Sequence, residues 1–166
     1  MKKILTALFL VATAFSANAQ SGKNVKFSLG AELGVPTGNL NTIYSVAVGA
    51  TAQADIKIDT DAALTFNTGI IQFVGKHIPN TNTNTKFRSQ TFIPLLVGVK
   101  YYFTQMVYGS AQLGTSVTPS SAMRGSIFTY IPGIGFKFDE RIDLLVKYTG
   151  YSDDGGAFGV RLGYTF

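Results

Sequence analysis

The 166-residue chain contains no cysteine and no tryptophan, and it has a single histidine. Without cysteine there can be neither a disulfide framework nor a thiolate metal site. The sequence also lacks a glycine-rich phosphate loop and a group of histidines and carboxylates spaced to hold a metal ion. Charged residues form only 14% of the chain, compared with roughly 25% in ordinary globular domains. We therefore expect no cofactor, and the composition is unusual for a water-soluble protein.

The N-terminus carries the longest apolar run. Lys2 and Lys3 precede the run from Ile4 to Phe15, and small residues follow at 16–19. This order predicts a signal peptide over residues 1–19, cleaved before Gln20. The alternative is an N-terminal anchor helix, but a spanning helix needs roughly 20 apolar residues. We expect one domain over residues 20–166.

The basic excess is small once that segment is removed. Taking Lys2 and Lys3 from the 14 basic residues leaves 12 against 9 acidic residues, a net charge of +3. Nucleic-acid binding needs basic residues clustered on one face, and no such cluster is visible. We therefore expect no nucleic-acid partner.

The rest of the chain alternates with a period of two, which is the signature of β-strands. In the first such segment, apolar residues occupy every odd position and small or charged residues every even position. Eight segments are predicted: Val25–Val35, Val46–Ile58, Ala63–Phe73, Thr91–Phe103, Val107–Val117, Ile127–Phe138, Ile142–Tyr151 and Phe158–Phe166. The third segment is irregular, because Ile71 and Phe73 fall on its polar side.

The connections between these segments alternate in length. Those at 59–61, 104–106 and 139–141 are short, and those near 36–44, 75–90, 118–126 and 152–157 are longer. Short periplasmic turns opposite longer outer loops are typical of outer-membrane barrels. A closed barrel also satisfies its backbone polar groups within lipid. We predict an all-β, eight-stranded, antiparallel, up-and-down transmembrane β-barrel, monomeric, with Asn80–Thr85 as a mobile loop tip.

A water-soluble eight-stranded barrel such as a lipocalin is the alternative. It would line a cavity with apolar side chains and turn its charges outward. Here the polar face is rich in glycine and serine and poor in charge. The apolar face carries aromatic residues near the strand ends, as an interfacial girdle does; these are Phe27, Tyr101, Phe103, Phe136, Phe138, Tyr164 and Phe166.

With these features the chain resembles the small outer-membrane barrels of the OmpA-transmembrane-domain, OmpX and opacity-protein type, and most of all the short porin-family barrels. Residues 160–166 are similar to the C-terminal signal that the barrel-assembly machinery recognises. Tyr164 and Phe166 match its last two hydrophobic positions, whereas Arg161 stands where a glycine is usual. The resemblance implies an outer-membrane location, lipid surroundings, and a structural, adhesive, channel-like or enzymatic role.

Charged residues on the inward face are the first candidates for function. We predict that Glu32 lies between or beside Lys147 and Arg161, and that Asp143 lies near Lys137. An eight-stranded lumen is narrow enough to be filled by side chains, so we interpret these groups as a polar plug. The alternative is a narrow conductance that favours anions, because inward cations outnumber inward carboxylates; the cations are Lys26, Lys57, Lys100, Lys137, Lys147 and Arg161, and the carboxylates are Glu32, Asp55 and Asp143.

Two further functional classes remain open. A lipid-modifying enzyme would use His77, with Ser89 or Ser121 on the same rim, but a general base needs a positioned partner that the sequence does not supply. We predict no catalytic residue and interpret His77 as a solvated loop side chain. An adhesive or binding protein would use its loops, with Ile78, Phe87, Arg88, Met123 and Arg124 as contact candidates.

Overall fold

The computed structural model describes residues 24–80, 83–119, 125–152 and 155–166. The predicted signal peptide at 1–19 lies outside these residues, as do Ser121, Met123 and Arg124. The described elements are β1 (Val25–Thr37), α1 (Asn39–Ile43), β2 (Tyr44–Lys57), β3 (Ala62–Gly75), β4 (His77–Asn80), β5 (Thr83–Lys86), β6 (Gln90–Tyr102), β7 (Val107–Val117), β8 (Ser126–Lys137), β9 (Ile142–Tyr151) and β10 (Gly155–Thr165).

Eight of these strands close into an antiparallel barrel, in the order β1-β10-β9-β8-β7-β6-β3-β2. Closure is made by the first and last strands, whose register runs from Ser28 opposite Thr165 to Thr37 opposite Gly156. On its other side β1 pairs with β2, so every barrel strand has two neighbours. The predicted all-β, eight-stranded, up-and-down barrel is therefore confirmed, and each predicted segment overlaps one barrel strand.

The two ends of the barrel differ. At the turn end lie the connections 58–61, 103–106 and 138–141, together with Asn24 and the last residue, Phe166. Side-chain acceptors close two of these turns: Asp139 Oδ1 accepts the backbone N–H groups of Arg141 and Ile142, each at 2.7 Å, and Thr104 Oγ1 accepts that of Val107 at 3.0 Å. The opposite end is the loop end.

Two elements at the loop end depart from the prediction of plain loops. The connection after β3 contains β4 and β5, which form a separate two-stranded antiparallel sheet. Of the predicted loop tip, residue 80 lies in β4 and residues 83–85 lie in β5, whereas 81–82 lie outside the described residues. The connection between β1 and β2 contains α1, whose Leu40 is buried.

Two prolines interrupt the ladders. Pairing of β8 with β9 stops at Tyr130 opposite Gly150 and resumes at Gly133 opposite Lys147, and Pro132 lies in this gap. Pro94 lies in a similar gap between β3 and β6. Proline has no N–H group to donate and so removes a ladder hydrogen bond.

The outer wall is apolar, as the alternation predicts. Large hydrophobic side chains are exposed on all eight barrel strands, and the buried polar residues face the lumen. The water-soluble alternative requires the opposite distribution. Exposed aromatic rings gather at the turn end: Tyr101, Phe103, Phe136, Phe138, Tyr164 and Phe166. Among the described residues, no helix is long and apolar enough to cross a membrane.

Candidate functional site

The lumen contains the buried charged residues, and they are arranged in layers from the turn end to the loop end. In the first layer, Lys100 Nζ lies 2.7 Å from Asp55 Oδ2 and 4.8 Å from the centre of the Tyr108 ring. The Tyr108 hydroxyl donates to Asp143 Oδ2. The Asp55 carboxylate of β2 thus contacts Lys100 of β6, and the Asp143 carboxylate of β9 contacts Tyr108 of β7, across the lumen.

The side-chain amides of Gln53, Asn67 and Gln112 form a layer next to the first one. Gln53 Oε1 accepts hydrogen bonds from Asn67 Nδ2 and from Gln112 Nε2, both at 3.2 Å. Gln53 Nε2 donates to Asp55 Oδ1 at 2.8 Å. Because Gln53 lies on β2 and Gln112 on β7, with β3 and β6 between them, the contact spans the lumen.

Arg161 forms the next layer and is only 1% exposed. Its Nε donates to Thr51 Oγ1 and its Nη2 to Ser28 Oγ, both at 3.0 Å. Its Nη1 lies 3.9 Å from Asp143 Oδ1. The guanidinium therefore has hydrogen-bond acceptors on β1 and β2 and an ion-pair partner on β9, as a buried charge requires.

Glu32 and Lys147 form the layer nearest the loop end. Lys147 Nζ lies 2.5 Å from Glu32 Oε2, and Thr51 Oγ1 donates to Glu32 Oε1 at 2.9 Å. Thr51 thus connects Glu32 with Arg161, which is also the residue opposite Glu32 in the ladder. The structure therefore brings together the three residues Glu32, Lys147 and Arg161.

The predicted neighbours Asp143 and Lys137 are opposite each other in the ladder between β8 and β9. Their charged groups have different partners, however. Asp143 contacts Tyr108 and Arg161, whereas Lys137 Nζ lies 5.6 Å from the centre of the Tyr102 ring. The roles of Thr51 and Tyr108 were not predicted, although the inward phase of both residues is readable from the alternation.

The interior charges balance. Lys100, Lys147 and Arg161 are buried, and each has a carboxylate partner. The remaining predicted inward cations are at the turn-end mouth, where Lys26 and Lys57 are exposed and Lys137 is half-buried. Long lysine side chains near strand ends extend to solvent. The excess of inward cations predicted from the sequence therefore lies at the turn-end mouth, and the buried cations of the described residues are each paired with a carboxylate.

An aromatic cluster lies at the loop end of the lumen. Phe73, which is 1% exposed, contacts the rings of Tyr44, Phe92 and Tyr151 with centroid distances of 5.5–6.0 Å. Leu40, Ala47 and Ala157 complete the cluster. Ile71 and Phe73, the irregular inward residues of β3, are the signal of this cluster in the sequence, and the cluster itself was not predicted. A cavity of about 30 Å³ is lined by members of this cluster together with Glu32 and Lys147.

The loop residues form no catalytic arrangement within the described part of the chain. His77 is exposed at the start of β4, and no described carboxylate or hydroxyl contacts it. Ser89 Oγ accepts the backbone N–H of Gly75 at 3.2 Å, which is a structural contact. Phe87 N–H donates to the carbonyl of Lys76, and Arg88 is exposed. Residues 24–80, 83–119, 125–152 and 155–166 contain no group of three metal-ligating side chains.

Known structures share this architecture. A de novo designed transmembrane β-barrel matches with a TM-score of 0.56 and 14% identity, covering 87% of this chain and 98% of that one. The outer membrane protein Ail of Yersinia pestis, determined in a phospholipid bilayer nanodisc, matches with a TM-score of 0.57 and 12% identity, covering 85% and 99%. The fold is that of a small outer-membrane β-barrel.

A crystal structure of Ail, described as the attachment invasion locus protein, matches this barrel with a TM-score of 0.51 and 13% identity, covering 86% of this chain and 97% of that one. No protein-family model matches the sequence, and no curated protein matches it. At these identities the likeness concerns the fold of the barrel, and its function has to be argued from its own residues.

Proposed function

We propose that this protein is a monomeric structural barrel of the outer membrane whose lumen is closed. The observation that carries the proposal is the exposed apolar wall on all eight barrel strands, with aromatic rings at its turn-end border. Such a wall is costly in water and suited to hydrocarbon. The turn end then faces the periplasm, and the loop end faces outward.

The filling of the bore supports a structural role over a porin-like one. Three ion pairs, the amide layer of Gln53 and the aromatic cluster around Phe73 occupy successive heights. The described cavity of about 30 Å³ has room for a water molecule or two. Under this proposal, an ion could pass the lumen only if several of these side chains moved.

Fractionation and electrical recording test the two parts of the proposal. The full-length protein should be recovered in the outer membrane and should change its gel mobility on boiling. Recovery in the soluble periplasm would refute the membrane assignment. Purified protein in planar bilayers should show no conductance steps, and reproducible steps would refute the closed lumen and favour a porin-like role.

We further propose that the outward pair Tyr164 and Phe166 is read by the barrel-assembly machinery. These rings are 42% and 59% exposed at the turn-end border, and the resemblance of residues 160–166 to the assembly signal supports the role. Phe166→Ala should reduce the assembled fraction in cells. Phe138→Ala is the matched control, because Phe138 is an equally exposed ring at the same border.

A variant at Arg161 tests whether assembly and lumen packing depend on different residues of the last strand. Arg161→Gly restores the residue usual in the signal and removes the buried guanidinium. It should assemble at the normal level and unfold more easily, because Asp143 loses its cation partner. An assembly defect with unchanged stability would contradict this division.

Attachment through the loop end is the second candidate function. The sheet of β4 and β5 is separate from the barrel sheet, and the sequence from 62 to 138 contains no aspartate or glutamate. Lys76, His77 and Arg88 therefore favour an anionic partner. Lys76→Ala with Arg88→Ala should elute earlier in salt from a heparin column than the wild type. Lys57→Ala, at the turn end, is the control, and equal shifts would refute a loop-end site.

A further inference from the structure

At the loop end, the connection between β1 and β2 forms α1, which lies near the ends of β1, β2 and β10. Of its five residues, Leu40 is buried, at 5% exposed, and packs into the cluster that contains Phe73, Phe92 and Tyr151. Asn39, Asn41 and Thr42 are exposed, and Ile43 is 36% exposed. A single side chain of α1 thus enters the lumen.

A helix of this length is not stable by itself, because nucleation is costly and isolated helices shorter than about 12 residues are marginal in water. Gly38 provides no side-chain cap, and the first turn has no acidic residue. The local backbone bonds include Asn41 N–H to the carbonyl of Gly38 at 3.2 Å and Tyr44 N–H to the carbonyl of Leu40. The position of α1 must therefore depend on contacts with the barrel.

Lys76, directly after β3, supplies such contacts. Its Nζ donates to Asn41 Oδ1 at 3.0 Å and to the carbonyl of Asn41. Its backbone N–H donates to the carbonyl of Ile43 at 2.8 Å. The ammonium thus satisfies a carbonyl in the last turn of α1, where a cation also complements the helix dipole.

Residues whose backbone could act as a hinge lie on both sides of α1. Gly38 has a φ of 64° and lies against Gly155, whose φ is 97°; both values are in the left-handed region that glycine adopts without strain. After α1, the register of β2 with β3 shifts between Tyr44 and Val46. Hinges are commonly a few such residues at the ends of an element.

We propose that α1 is a hinged lid on the loop end of the lumen, latched by Lys76, and that its opening admits water and small solutes to the cavity above the Glu32–Lys147 pair. The cavity is lined by Phe73 and Tyr151, which belong to the same cluster as Leu40, and by Thr149 and the ion pair. The inference adds regulated access to the closed lumen proposed above, and it does not require conduction.

The absence of native cysteine makes thiol labelling a clean test. Thr149→Cys places a reporter under the lid and leaves Leu40 in place, whereas Ile43→Cys places one on the exposed side of α1. In detergent-folded full-length protein, a small methanethiosulfonate reagent should modify Thr149→Cys at least about tenfold more slowly than Ile43→Cys. The slow rate reports the minor open population.

Opening the latch should raise the labelling rate only at the half-buried position 149, which lines the cavity. Lys76→Met added to Thr149→Cys should accelerate labelling by about tenfold, the change expected when the closed state loses roughly 1.4 kcal/mol, and Lys76→Arg should give a smaller change. Leu40→Ala, which leaves the latch intact, should also accelerate labelling of Thr149→Cys. The rate at Ile43→Cys should stay constant in the Lys76→Met background.

Two results would overturn the lid. One is equal labelling of Thr149→Cys and Ile43→Cys in the otherwise native chain. The other is a Thr149→Cys rate that neither Lys76→Met nor Leu40→Ala changes while gel mobility shows a folded barrel. The labelling is done in detergent and does not depend on fractionation or on bilayer recordings. The lid can therefore be tested even if those experiments refute the membrane location or the closed lumen.

Discussion

The side chain of Arg161 lies directly against the Cα of Gly30 on the neighbouring strand. A Cβ atom placed on Gly30 would stand 2.6 Å from Arg161 Cζ, which is far inside van der Waals contact. The bare backbone of Gly30 thus provides the space in which the buried guanidinium extends toward Ser28 and Thr51. Gly163 leaves space in the same way, because a Cβ there would lie 2.5 Å from Arg161 Nη1 and closer still to Asp143 Oδ1.

Gly30→Ala should destabilise the barrel by about 1–3 kcal/mol, the range for overpacking a filled core, because Arg161 must leave its hydrogen bonds. The measurement is the free energy of unfolding from urea titration of the detergent-folded protein. Gly34→Ala is the matched control on β1, where the nearest atom to an added Cβ is 3.4 Å away. Equal losses at both positions would show that the effect is not specific to Arg161.

Glu32→Leu should cost about 3–5 kcal/mol, because it leaves the Lys147 ammonium buried without its carboxylate. Combining Glu32→Leu with Lys147→Met removes both charges and should recover most of the loss. A double-mutant cycle of unfolding free energies measures the coupling. Additive losses in the double variant would mean that the pair contributes no coupling inside the lumen.

Pro132→Ala should stabilise the barrel by up to about 1 kcal/mol, because it supplies an N–H group at the gap in the ladder between β8 and β9. The gain is limited by the extra freedom that alanine has in the unfolded chain. Pro36→Ala is the control, since the described pairing of β1 with β2 ends at Gly34. The midpoint temperature of thermal unfolding should rise for Pro132→Ala only. A lower midpoint temperature for Pro132→Ala would refute the expected ladder hydrogen bond.

The turn from β8 to β9 should depend on pH through Asp139. Backbone N–H groups of Arg141 and Ile142 hold the pKa of the Asp139 carboxyl below its ordinary value. A lowered folded-state pKa means that the stabilisation is complete above the unfolded-state pKa and is lost as pH falls through the folded one. Wild type and Asp139→Asn should therefore differ in unfolding free energy at pH 7 and converge below about pH 4. A difference independent of pH would exclude the carboxylate as its source.

The alternation of side chains determined much of this protein from sequence alone. A period of two follows from strand backbone geometry, so each strand could be located and its outward face assigned before any contact was known. The faces of β1 and β10, including outward Phe166 and inward Arg161, agree with the structure. The alternation of short and long connections likewise predicted which strand ends lie at the turn end and which lie at the loop end.

The partners inside the lumen could be decided only by the tertiary structure. Lys147 and Glu32 are 115 residues apart, and their contact crosses β10, so it depends on the register and stagger of the closed barrel. Asp143, opposite Lys137 in the ladder, instead contacts Tyr108 and Arg161 because its side chain points across the bore. The helix α1 is too short to be predicted from local preference, and it exists because the lumen buries Leu40. These arrangements depend on distances across a closed cylinder, which a periodic pattern along one chain does not contain.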